Sequence, residues 1–237
     1  MRRIRQLDHG EPFPPSSAAL DYPNGLLAAG GGLSPERLLH AYRRGIFPWY
    51  EEPQPVLWWT PDPRSVLFPE ELHVSRSLRK TLRSDRFGLA VDRDFERVMR
   101  ECATLRGDGL GTWIDEDMTA AYGRLHRLGH AHSIEVHDSD GALVGGLYGV
   151  ALGRVFFGES MFSRRDDASK VALVGLVDIL RRGEFHMIDC QVESAHLNSL
   201  GARNIGRLDF EQRLAQTVDI EAGDDIWRLP ASCGGLL

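Results

Sequence analysis

The chain has 237 residues, 42% of them hydrophobic and 26% charged, with 28 Lys and Arg against 34 Asp and Glu for a net charge of −6. This is the composition of an ordinary globular protein able to bury a sizeable core, and it argues against a membrane protein. No window approaches the roughly 20 apolar residues needed to cross a bilayer, since even the stretch from Val171 to Leu180 is interrupted by Asp178. Three widely spaced cysteines, Cys102, Cys190 and Cys233, suit neither a disulfide framework nor a thiolate metal site. The basic N-terminus lacks the apolar segment of a signal peptide, so the expected location is the cytoplasm.

The first part of the chain, residues 1–62, reads as a small loop-rich domain. It carries proline pairs, Asn24-Gly25, the run Gly30-Gly31-Gly32 and the tryptophans Trp49, Trp58 and Trp59. One helix stands out: Ser34 is its cap, Pro35 its first residue, Leu38, Leu39 and Tyr42 lie along it, and Gly45 ends it. The glycine run lacks a following Gly-Lys-Ser/Thr, which makes it a poor phosphate loop.

Residues 63–237 form the second expected domain. After a cap at Ser75, Arg76, Arg79, Lys80 and Arg83 fall on one face of a helix, with Leu78 and Leu82 opposite. A cationic ridge of this kind suits phosphates, although a charge run is as often a merely solvated face. From Phe87 the chain alternates strand and helix signals. A strand at 87–91 leads to a helix with Phe95, Val98, Met99 and Cys102 inward. A second helix follows Asp115, with Met118, Tyr122 and Leu125 inward and a stop at Gly129. Strands at 132–137, 142–152 and 155–162 have connections short enough to require antiparallel pairing. A helix over 168–182 and a strand over 185–192 complete a crossover unit, with the last strand parallel to its predecessor. The expected fold class is therefore α+β, a mixed sheet with an antiparallel meander and one helical crossover.

Two of these apolar strands contain carboxylates. Glu159 lies in Phe-Gly-Glu-Ser-Met-Phe-Ser and Asp189 in Ile-Asp-Cys-Gln-Val. An ionised carboxylate taken out of water costs several kcal/mol or more unless it is paired, so each is either matched to a partner or placed for a substrate. Asp189 and Gln191 are two apart on a strand and are expected on the same side. The spacing His126-x-x-x-His130-x-His132 hints at a metal, but Gly129 ends the helix between the first two histidines. No metal and no cofactor are expected.

The order of elements is similar to the GNAT-type acetyltransferase fold. Coenzyme A-binding members of that fold carry a glycine-rich loop at the start of the crossover helix. The corresponding segment here, residues 163–170, has no glycine and two acids, which disfavours a coenzyme A donor. A more specific resemblance runs from about residue 20 to 202: Pro23-Asn24-Gly25-Leu26-Leu27, Gly45-Ile46-Phe47-Pro48-Trp49, Leu57-Trp58-Trp59, Pro61-Asp62-Pro63-Arg64, Gly111-Thr112-Trp113-Ile114, Gly129 to Glu135, Gly158-Glu159-Ser160-Met161-Phe162-Ser163 and Asp189-Cys190-Gln191. In these strings the chain resembles the bacterial leucyl/phenylalanyl-tRNA–protein transferases.

That resemblance implies transfer of Leu, Phe or Met from aminoacyl-tRNA to the N-terminal Lys or Arg of acceptor proteins, which marks them for degradation, by a monomer that does not bind membranes. It maps a donor side-chain pocket onto Trp49, Trp113, Tyr122, Leu147, Phe156, Leu176, Leu180 and Ile188, and a tRNA-contacting segment onto Arg76, Arg79, Lys80 and Arg83. For the chemistry, Asp189 is expected to take or steer the proton of the attacking amine, Gln191 to orient that amine, and Glu159 to hold an ammonium group or the acceptor's basic end. The competing readings are an aminoacyl-tRNA-dependent transferase with another acceptor and a coenzyme A-dependent acetyltransferase.

Overall fold

A computed structural model describes residues 4–106 and 114–237 of the chain. In order, its elements are β1 (Arg5–Leu7), β2 (Leu26–Gly30), α1 (Pro35–Tyr42), β3 (Phe47–Pro48), β4 (Leu57–Trp59), β5 (Arg64–Leu67), α2 (Arg76–Arg83), β6 (Gly88–Val91), α3 (Phe95–Arg106), α4 (Glu116–Arg127), β7 (Ala131–His137), β8 (Leu143–Leu152), β9 (Val155–Ser163), α5 (Ala168–Arg182), β10 (Met187–Gln191), α6 (Ala195–Asn198), β11 (Arg203–Ile205) and α7 (Arg207–Thr217).

The N-terminal segment holds a four-stranded sheet in the order β1-β2-β4-β3. Its strands are two to five residues long and interrupted by proline and glycine, which is why the sequence reads there as loop. The glycine run has a structural use, since Gly31 has φ +82 and a Cβ there would lie 2.2 Å from the Arg37 guanidinium packed over it. Helix α1 begins as expected, with the Ser34 hydroxyl accepting from the Arg37 backbone N–H.

The main sheet has seven strands in the order β11-β5-β10-β9-β8-β7-β6. Strands β6 to β9 form the expected antiparallel meander, and β10 pairs parallel to β9 after the α5 crossover. Strand β5 was not foreseen; it adds antiparallel to β10 and brings Arg64 to Asp189. Helix α5 covers one face of the sheet, while α3 and α4 cover the other. Neighbouring residues on β9 therefore belong to different cores: Phe156 packs with Leu176 and Ile188, and Phe157 with Tyr42 and Tyr122. Two covered faces also explain why β8 is buried almost throughout instead of in alternation.

Helix α2 carries out its simple amphipathic plan. Leu78 and Leu82 are each 1% exposed, whereas Arg76, Arg79, Lys80 and Arg83 all lie on the exposed side. No salt bridge among the described residues engages any of the four cations. No described helix is long and apolar enough to cross a membrane.

Candidate active site

The site forms where two strands part company. Strands β9 and β10 pair only as far as Phe157 and Asp189. Beyond that point Gly158–Met161 and Cys190–Val192 diverge and line the two sides of a cavity of about 380 Å3. Phe47, Pro48 and Trp49 close it from the N-terminal sheet, Leu147 and Phe156 from the main sheet, and Leu173 and Leu176 from α5. Its walls are mainly apolar, with Glu159, Ser160, Gln191, Ser194 and His196 as polar points.

Each diverging strand carries a bulge at this place. On β9 the register shifts so that Glu159 is an extra residue between partners of Tyr148 and Gly149. On β10 the shift falls between Asp189 and Gln191, making Cys190 the extra residue, and Gln191 has φ +58 in the left-handed region. Bulges of this kind redirect side chains. The expectation that Asp189 and Gln191 share a side is corrected accordingly: Gln191 lines the cavity and Asp189 does not.

Asp189 is instead 0% exposed and clasped by Arg64, which is itself 1% exposed. Arg64 Nε donates to Oδ1 at 2.7 Å and Nη2 to Oδ2 at 2.6 Å, a bidentate pair. The guanidinium lies between the rings of Phe47 and Phe210, 4.9 and 4.6 Å from their centroids. With both oxygens engaged by Arg64 and no place in the cavity lining, Asp189 presents no free oxygen to a molecule bound there.

Glu159 is held in a different manner. Tyr42 on α1 donates to Oε1 at 2.6 Å, Tyr122 on α4 donates to Oε2 at 3.0 Å, and the two phenols also contact each other. Burial and the neighbouring carboxylate push both phenols well above their ordinary pKa, so they remain proton donors. Burial also raises the Glu159 carboxyl to about 7, against the opposing pull of the two phenolic hydrogen bonds. Glu159 is thus a cavity group that gains and loses a proton near neutral pH.

Of the residues expected in the donor pocket, Trp49, Leu147, Phe156, Leu176 and Ile188 line the cavity. Leu180 does not; it is 0% exposed, one turn beyond Leu176 and inside the helix–sheet layer. Tyr122 does not either, because it is fully buried behind Glu159 and reaches the site only through its hydroxyl. Trp113 lies outside the described residues. The cationic residues of α2 are not part of the cavity wall.

Sequence reasoning missed Arg64 as the partner of Asp189 and read Tyr42 only as a helix core residue. A buried carboxylate signals that some partner exists, but nothing local says which of 28 Lys and Arg residues supplies it. Cys190 lines the cavity, yet burial raises its thiol far above the ordinary value, so no thiolate nucleophile is available there. The suggestive histidines have other partners. His126 Nδ1 lies 2.8 Å from the Ala131 carbonyl, and His132 Nδ1 lies 2.7 Å from Asp92 Oδ2 with its ring stacked on Trp227. No metal-like cluster of His, Cys, Asp and Glu occurs among the described residues.

The site is thus an apolar cavity at a strand divergence, with a raised carboxyl at Glu159 and the glutamine Gln191 on its wall. Comparison with known proteins gives the family. The model of the leucyl/phenylalanyl-tRNA protein transferase family matches residues 66–215, and that of its N-terminal domain matches residues 31–62. The leucyl/phenylalanyl-tRNA–protein transferase of Nitrosospira multiformis is 59% identical over 91% of this chain and 92% of its own. Those of Pseudomonas entomophila and Syntrophobacter fumaroxidans are 58% and 57% identical, over 89% and 94% of this chain and 93% and 94% of theirs. The chain belongs to the leucyl/phenylalanyl-tRNA protein transferase family, and it is an aminoacyltransferase. Among solved structures, a GNAT-family acetyltransferase from Staphylococcus aureus matches 42% of this chain and 70% of its own at 13% identity, with a TM-score of 0.33.

Proposed function

We propose that this enzyme transfers Leu, Phe or Met from aminoacyl-tRNA to the N-terminal Arg or Lys of acceptor proteins, acting as a monomer in the cytoplasm and generating an N-terminal degradation signal. The observation that carries the reading is the cavity, whose apolar, aromatic-rich walls end at Glu159 and Gln191. The donor side chain occupies the apolar part, contacting Trp49, Leu147, Phe156, Leu176 and Ile188, and its ester reaches the polar end. The acceptor α-amine attacks the ester carbonyl, the new C–N bond forms, and the bond to the tRNA ribose oxygen breaks.

An aminoacyl ester is already activated, so orientation of the amine and removal of one proton supply most of what is needed. The proton passes from the amine to Glu159 and from there to the departing ribose oxygen. An α-amine titrates near about 7.7 to 8.0, and a carboxyl near 7 is a well-matched partner for it. Gln191 holds the amine by hydrogen bonding, since an amide is too weak a base to keep the proton. Asp189 acts at one remove, through the backbone of Gln191.

The tRNA lies along α2, where Arg76, Arg79, Lys80 and Arg83 contact phosphates and supply affinity without reading bases. Four such contacts give a slope of roughly −3 in log affinity against log salt. Replacing all four by Ala should abolish most of that slope while leaving the thermal midpoint within a few degrees, and an unchanged salt dependence would remove α2 from the interface.

The direct test mixes the enzyme with labelled Leu-tRNA and short peptides differing only in their first residue, and follows the added mass. Extension of Arg- and Lys-initiated peptides but not an Ala-initiated one is the expected result. Equal extension of all three would overturn the acceptor rule, and no extension would overturn the reaction.

A further inference from the structure

The segment that presents Gln191 to the cavity is held in an unfavourable conformation by a buried ion pair that lies outside the cavity. Gln191 has φ +58, costly for a residue with a Cβ, and the Val192 N–H donates to the Cys190 carbonyl at 2.7 Å in a tight turn around it. Such a conformation persists only if the surroundings fix it. One visible tie is the Gln191 backbone N–H, which donates to Asp189 Oδ1 at 3.0 Å. The same oxygen accepts from Arg64 Nε at 2.7 Å, and Arg64 Nη2 holds Oδ2.

Arg64 is in turn fixed from both sides. Phe47 and Phe210 sandwich its guanidinium, and Phe47 itself lines the cavity. A chain of contacts thus runs from Arg64 through the Asp189 carboxylate to the Gln191 backbone. It ends at a residue that lines the cavity.

We propose that Arg64 is a positioning residue for the transfer reaction: it locks the Asp189 carboxylate, which holds the Gln191 N–H and thereby the bulge that aims the Gln191 amide into the cavity. Neither Arg64 nor Asp189 touches substrate or accepts its proton. A lysine in place of Arg64 keeps the charge but has no planar fork, so it cannot hold both carboxylate oxygens in the same geometry.

This inference rests on the proposed transfer for its kinetic readout but not for its structural one. The experiment compares Arg64→Lys, Asp189→Asn and the double variant with the parent enzyme, measuring thermal midpoint, kcat, KM for Leu-tRNA and the pH dependence of kcat. Folded Arg64→Lys should lose about 10- to 100-fold in kcat with KM within about twofold and an unshifted pH midpoint. The double variant should be no slower than the worse single one, because both break the same chain. A folded Arg64→Lys or Asp189→Asn enzyme with parental kcat, multiplicative losses in the double variant, or a pH midpoint displaced by the charge-conserving Arg64→Lys would each overturn the proposal. Hydrogen exchange at the Gln191 amide of the unaltered protein is the second readout and needs neither a folded variant nor activity. Protection of at least 100-fold over the unfolded rate is expected, and exchange at the rate of an open loop amide overturns the lock. If the parent enzyme extends no peptide while this amide is protected, the proposed reaction fails and the lock stands.

Discussion

Glu159 and Asp189 sit on adjoining strands just where those strands separate, and they are handled in opposite ways. Asp189 meets a guanidinium, both oxygens taken, and is sealed from the cavity. Glu159 meets two phenols, which donate hydrogen bonds without neutralising charge, and it keeps a face on the cavity. A cation cancels the cost of burying a carboxylate, whereas neutral donors cancel only part of it. The first arrangement yields a bidentate ion pair buried in the scaffold. The second yields a carboxyl raised to about 7 by burial.

The largest effect should come from removing the cation from the scaffold corner. Arg64→Met leaves a buried carboxylate without its partner and should cost about 3 to 5 kcal/mol of stability by denaturant unfolding. Recovery of stability on adding Asp189→Leu to it would show that the loss is the orphaned charge. A loss below about 1 kcal/mol would mean that Asp189 finds water or another donor.

Glu159→Gln should act on chemistry and on the pH dependence of stability. Transfer should fall about 100-fold, in the range typical of general-base removal. The folded-state pKa of about 7 lies above the ordinary 4.5, so the folded protein binds this proton more tightly than the unfolded chain. That contribution to stability is full below about pH 4.5 and is lost as pH rises through about 7. It amounts to at most about 3 kcal/mol. Urea midpoints of the parent measured from pH 4.5 to 8 should therefore decline relative to those of Glu159→Gln, and parallel curves would show that the carboxyl is not raised.

The smallest effects belong to the phenols. Tyr42→Phe and Tyr122→Phe each remove a hydrogen bond to ionised Glu159 and should cost about 1 to 2 kcal/mol. Each should also push the Glu159 carboxyl further up, because the lost bonds favour its charged form. The pH midpoint of transfer should move upward in both variants. A downward shift would mean that the phenols stabilise the neutral acid.

Much of this protein was legible in one dimension. The meander from β7 to β9, the α5 crossover and the parallel β10 follow from periodicity and connection length, because short links leave only antiparallel pairing and a helix forces a crossover. The exposed cationic face of α2 follows from residue spacing alone. What the linear order could not contain were the partners that arrive from far away. Arg64 is 125 positions from Asp189, and Tyr42 is 117 from Glu159. Nor could strand alternation foresee the two bulges, since each depends on how a neighbouring strand is registered. The sequence determined that two carboxylates would be buried. Tertiary structure alone decided that one would be locked to a cation and the other left free to titrate, because the cost of a buried charge is set by whatever the fold brings beside it.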